Sequence, residues 1–141
     1  MKKKVLVCPL NWGLGHATRC VPIIREQLAA GNEVVICADS YPLEFLRQEF
    51  PALRILELPS YPIRYSKGKS QVFAMLCFLP VLLKGICREN YWLKKLLKKE
   101  HFDVIISDNR FGLWNRDIHS IYITHQLMIK MPKGLKWLEP I

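Results

Sequence analysis

Three stretches constrain this chain more than anything else in it: Lys4 to Leu10, Glu33 to Ala38 and Phe102 to Ser107, each dominated by Val, Ile, Leu and Cys. A strand with one face in water alternates apolar and polar residues, whereas a parallel strand covered on both faces runs almost continuously apolar. These stretches do not alternate, so they predict strands inside a sheet with helices on both sides.

The segments between them supply the helices. Asn11 to His16 reads as a Gly-containing turn, and Val21, Ile24, Leu28 and Ala29 fall at helical spacing within a helix from Ala17 to Ala30, stopped by Gly31-Asn32. A strand, crossover helix and strand default to right-handed parallel pairing. The pattern repeats with a helix from Pro42 to Phe50, a strand from Arg54 to Leu58 and a loop rich in Pro, Ser and Tyr from Pro59 to Ser66. Helices from Gln71 to Cys87 and Glu89 to Glu100, the strand at Phe102 to Ser107 and another buried one from Ser120 to Thr124 complete it. The expected class is α/β: a Rossmann-like, open, mostly parallel sheet with helices on both faces. With 141 residues, half of them hydrophobic, the chain fits a single domain. Leu135 to Ile141 break off in apolar residues, which reads as a cut chain.

The net charge of +9 is unevenly spread: residues 64 to 99 hold nine Lys or Arg against the single acid Glu89. Within that segment Val72 to Leu83 is twelve uninterrupted apolar residues, short of the ~20 needed to cross a bilayer. An apolar surface edged with cations suits contact with an anionic membrane surface, at roughly 1 kcal/mol per cation. The alternative is a core helix followed by an amphipathic one, with Trp92, Leu93, Leu96 and Leu97 inward and Lys94, Lys95, Lys98 and Lys99 in water. Nucleic acid is not an expected partner, because no aromatic residues interleave with the cations. Cys8, Cys20, Cys37, Cys77 and Cys87 form no CxxC pair and read as buried thiols in a reducing compartment. The apolar run behind the basic Met1 to Lys4 is too short for a signal peptide, so the reading is cytoplasmic, with a peripheral place on the inner membrane face left open.

In such a sheet, ligands gather at the carboxyl ends of the strands. Two loops stand there: Gly13-Leu14-Gly15-His16-Ala17-Thr18-Arg19, and Ser107-Asp108-Asn109-Arg110-Phe111-Gly112. Glycines let the first turn tightly against a ligand, and the helix behind it points its positive end at any phosphate. One reading is an NAD-type dinucleotide site using Gly13, Gly15 and Asp39, in an oxidoreductase module. Thr18 stands where that fingerprint needs its third glycine, and His16 has no use in it. No spacing of His, Cys, Asp or Glu resembles a metal site.

The stretch Pro9 to Pro22 resembles the opening loop of GT-B glycosyltransferases. It is similar to the Gly-His-x-x-x-x-Pro pattern of UDP-glycosyltransferases, here Gly15, His16 and Pro22 with one more residue in the gap. It also resembles the start of the peptidoglycan N-acetylglucosaminyltransferase, which glycosylates a lipid-linked acceptor. The likeness is strongest to GT-B homologues with a Gly-Leu-Gly-His-Ala-Thr-Arg start and an Ile-Ser-Asp motif downstream, here Ile106-Ser107-Asp108. It implies that residues 1–141 are the N-terminal, acceptor-side half of a two-domain inverting enzyme whose donor-binding domain is not in this chain. His16 takes the place of the general base and Asp108 that of the acid orienting it. Gly13, Leu14, Gly15 and Thr18 would lie near the diphosphate of a nucleotide-sugar donor, a UDP-sugar, with no further cofactor. Asn11, Asn109, Arg110 and His125 would contact a lipid-linked or carbohydrate acceptor. An imidazole titrating near neutral pH can take a hydroxyl's proton, and a carboxylate on its other nitrogen fixes the tautomer. The plainer alternatives are a packing or capping role for His16, a turn acid for Asp108, a structural histidine for His125, and a membrane-surface interaction domain for the whole.

Overall fold

The computed structural model describes residues 1–59 and 71–124, with the backbone alone over 71–78. The elements run β1 (Lys4–Pro9), α1 (Leu14–Ala29), β2 (Glu33–Ala38), α2 (Ser40–Glu49), β3 (Arg54–Glu57), α3 (Gln71–Leu97), β4 (Val104–Asp108) and β5 (His119–Ile123). The strands form one five-stranded sheet in the order β3-β2-β1-β4-β5, parallel throughout. This is the expected Rossmann-like α/β architecture.

The alternation of side chains along the strands assigns the two faces. Val5 and Val7 of β1 and Val104 and Ile106 of β4 pack with Ala17, Cys20 and Ile24 of α1 and Leu43 and Leu46 of α2. Leu6 and Cys8 of β1 and Ile105 of β4 pack with Leu93 of α3, Phe102 and Leu113. The central strands are therefore buried on both sides, which is why their sequences do not alternate.

From β1 the chain builds outward through β2 to β3, then crosses back to lay β4 on the other side of β1. Between β1 and β4 the strand order reverses. The loops after two such strands diverge to opposite faces and open a crevice, the usual place for a ligand.

Four expectations from the sequence need correction. The turn after β1 is shorter than Asn11 to His16, because α1 starts at Leu14 behind Gly13, whose φ of 78° only glycine adopts readily. The segment from Gln71 is one helix of 27 residues, not two. No Gly or Pro separates Cys87 from Glu89, and Glu89 turns its carboxylate into the core there. The last strand is not buried, since β5 is the sheet edge and its Ile121 and Tyr122 stay exposed. Cys87 is exposed on α3, whereas Cys8, Cys20 and Cys37 are buried as expected. All of the Pro59 to Ser66 loop beyond Pro59, the side chain of Cys77 and His125 lie outside the described residues.

The carboxyl half of α3 keeps the amphipathic arrangement read from its sequence. Leu93 is buried and Lys94, Lys95, Lys98 and Lys99 are exposed. Farther up the helix Leu79, Val81 and Leu83 are exposed beside Lys84. Among the described residues, no helix is long and apolar enough to cross a membrane.

Candidate active site

His16 and Asp108, 92 positions apart, meet at the reversal point. Asp108 ends β4 opposite Pro9 in register and shares the α1 face of the sheet with Ile106. His16 lies in the first turn of α1, which the short loop after β1 brings over that face. His16 Nδ1 is 3.0 Å from Asp108 Oδ2, and both residues are buried.

A third group completes the cluster. Arg19, one helical turn beyond His16, places Nη2 3.0 Å from Asp108 Oδ1 and Nε 3.3 Å from Oδ2, while Nη2 lies 2.9 Å from His16 Nδ1. The buried carboxylate thus faces both a guanidinium and an imidazole. Sequence reasoning placed His16 and Asp108 and missed Arg19. The signal was available, because residues at i and i+3 share a helix face once α1 starts at Leu14.

The local field also reaches two neighbours. Burial pushes the Cys20 thiol up to about 12, with the Asp108 carboxylate adding to it. Burial and the same carboxylate raise the Tyr122 phenol against a hydrogen bond to Thr124. Both stay uncharged near neutral pH.

Gly13 and Gly15 are exposed ahead of His16, and a Cβ on either would meet nothing within 4 Å. Leu14 is exposed too, and Thr18 donates its hydroxyl to the Gly15 carbonyl at 3.1 Å. The backbone here is open to a ligand. Asn11 is half-buried at the same loop.

Asn109 follows Asp108 with φ 55°, and Ser40 follows β2 with φ 49°. Strained residues of this kind cluster where ligands are held. The Asn109 amide donates to the Ile123 carbonyl at 3.0 Å, and its side-chain oxygen accepts from the Tyr122 hydroxyl at 3.2 Å. Asp39 is buried at the head of α2.

Arg110 points to the α3 face, away from His16, and lines a cavity there with Ser107 and Phe111. Its side chain is fully buried on the α3 face, where Nε donates to Glu89 at 2.9 Å and Nη2 to the Leu58 carbonyl at 3.1 Å. Burial weakens the guanidinium's hold on its proton, but the Glu89 carboxylate outweighs this and leaves it above its ordinary value. Glu89, read from the sequence as a lone acid among cations, also accepts from the Gly112 amide at 3.1 Å. No local pattern links positions 89 and 110.

A cavity of about 250 Å³ opens beside Ser107, Phe111, Trp114 and Tyr122. Ser107 points to the α3 face and Asp108 to the α1 face, so this cavity and the histidine lie on opposite sides of the sheet. No group of His, Cys, Asp and Glu able to hold a metal occurs among the described residues.

A five-stranded parallel sheet in this order, with helices on both faces, defines a Rossmann-like domain. No family model matches the chain. Over 112 residues, 79% of its length, it is 32% identical to an uncharacterized glycosyltransferase of Methanosarcina mazei and covers 28% of that protein. The glycotransferase of kitacinnamycin superposes with a TM-score of 0.63 at 18% identity, over 86% of this chain and 30% of that one. The C-terminal domain of a Pyrococcus furiosus hydrogenase superposes at 0.56 with 16% identity, over 87% of this chain and 94% of that one. At those identities the superpositions show the fold alone. The chain is thus a glycosyltransferase-like domain with the fold that its GT-B resemblance implied, and it spans about three tenths of the length of these two glycosyltransferases.

Proposed function

We propose that this chain is the acceptor-side half of an inverting glycosyltransferase, with His16 as general base and Asp108 as its orienting acid. The observation that carries the reading is the buried 3.0 Å contact between the two at the strand-order reversal. In the reaction, an acceptor hydroxyl attacks the anomeric carbon of a nucleotide-sugar. The new C–O bond forms as the bond to the diphosphate breaks, the nucleotide leaves with that electron pair, and His16 takes the hydroxyl proton. Asp108 stabilises the resulting imidazolium. The open backbone at Gly13 and Gly15, ahead of the α1 dipole, suits the donor's diphosphate.

The donor binds mainly to a second domain, outside these residues, in an enzyme of the length of the relatives. A lipid-linked acceptor is favoured by exposed Leu79, Val81 and Leu83 beside the cations of α3, a surface suited to peripheral contact with a membrane. The full-length protein is tested with UDP-sugars and other nucleotide-sugars, with and without a polyprenyl-phosphate-linked sugar, following nucleotide release. Release that requires both partners supports the reading. Release with none of the donors, together with a thermal shift by NAD, replaces it with the dinucleotide alternative, in which Asp39 would meet the ribose.

A further inference from the structure

Asp108 has two claimants, and the proposed chemistry uses only one of them. A buried carboxylate beside an imidazole favours the imidazolium, and an imidazole that already holds its second proton cannot accept one from an acceptor hydroxyl.

Arg19 supplies the opposing term. Its guanidinium forks both carboxylate oxygens at 3.0 and 3.3 Å and stands 2.9 Å from His16 Nδ1. The fork shares out the carboxylate's charge, and a fixed cation at that distance opposes a second positive charge on the ring. Two further titratable groups that the Asp108 field reaches, Cys20 of α1 and Tyr122 of β5, are both raised and uncharged near neutral pH. Asp108 and Arg19 thus act on His16 in opposite senses.

Ring chemistry sharpens this. Nδ1 can accept from Arg19 or donate to Asp108, but it cannot do both. For Nε2 to take a substrate proton, Nδ1 must carry the ring's one proton and give it to Asp108. Arg19 then retains its fork on the carboxylate and remains beside the ring.

We propose that Arg19 is a positioning residue whose positive charge beside the Asp108 carboxylate keeps His16 neutral, and so able to act as a base. The proposal rests on the reading of His16 as the base, but its test does not depend on activity. The ring signals of His16, assigned by their loss in His16→Gln, are followed against pH by NMR in the wild-type chain, Arg19→Gln and Arg19→Lys. Arg19→Gln raises the midpoint of His16 protonation by about one unit or more, the size expected when one neighbouring charge is removed. Arg19→Lys, which keeps the charge, stays near the wild type. An unchanged or lowered midpoint in Arg19→Gln, or an equal rise in Arg19→Lys, overturns the proposal. Should Arg19→Gln fail to fold, the Arg19 Nε–H signal of the wild-type chain decides: it must shift with the same midpoint as His16, and a signal that does not respond overturns it. Titrations that behave as stated in a protein with no sugar transfer would remove the proposed function and leave this electrostatic relation standing. Loss of transfer in His16→Ala with no effect of Arg19 on the titration would do the reverse.

Discussion

Two of the buried carboxylates, Asp108 and Glu89, sit on opposite faces of the sheet, and each is matched to a guanidinium. On the α1 face Asp108 answers to Arg19 and His16, with Arg19 still a third exposed. On the α3 face Glu89 and Arg110 are both completely buried. Removing one partner of such a pair leaves a charge that water cannot reach, at a cost of about 3–5 kcal/mol. Glu89→Gln should lose stability of that order in urea unfolding, and a loss no larger than that of a surface substitution would mean that Arg110 finds another partner. Gly15 makes the opposite case. A methyl group there meets nothing within 4 Å, so Gly15→Ala should fold as well as the wild type. If the donor diphosphate lies against this backbone, the variant binds nucleotide-sugar more weakly in calorimetry, and unchanged affinity would place the diphosphate elsewhere.

Among the elements, β1, β2, β4 and α1 were legible because burial on both faces leaves a continuous apolar run in the strands, and Gly31 marks the helix end. What stayed hidden depends on contacts between distant positions. α3 passes unbroken through Arg88 and Glu89 because Glu89 is needed in the core by Arg110, and Gly112 lets the loop after β4 close onto that helix. A Cβ on Gly112 would stand 2.4 Å from the Ile86 carbonyl oxygen and 2.5 Å from Glu89 Cβ. β5 looked buried because Ile121, Tyr122 and Ile123 stand in a row, yet edge position is a property of strand order and not of composition. Another long-range tie joins the start of β1 to the segment after α3. Lys4 pairs with Glu33 and Glu100 at 2.8 Å each, and Arg54 of β3 also reaches Glu100. Lys4, with Arg54 beside it, holds the Glu100 carboxyl below its ordinary value. A group lowered by folding contributes fully above its ordinary value and loses that contribution as pH falls through the lowered one. Glu100 in turn raises Lys4, so the lysine's contribution lasts past its ordinary value and is lost as pH rises through the raised one. Thermal melts of Glu100→Gln against pH should therefore lie closer to the wild type in acid than at neutral pH, and a constant difference would contradict the coupling.

For the molecule as a whole, strand order accounts for the meeting of two sequence motifs 92 positions apart. Each motif was visible in the sequence as a strand-end loop, but only the reversal between β1 and β4 places one against the other. Charge is also organised at this scale, with eight of the nine net positive charges carried by residues 64 to 99. If the exposed side of α3 rests on anionic lipid, reversing Lys84, Lys94 and Lys98 to Glu should weaken binding to anionic vesicles by about 100-fold or more, at roughly 1 kcal/mol per cation. Equal sedimentation of variant and wild type with those vesicles would exclude that surface. The histidine–aspartate pair is the centre of the proposed function, and the transfer rate of His16→Ala in the full-length protein probes it most directly. Loss of the base should lower that rate by about 100- to 10,000-fold while donor binding is kept, and transfer at the wild-type rate would contradict the assignment.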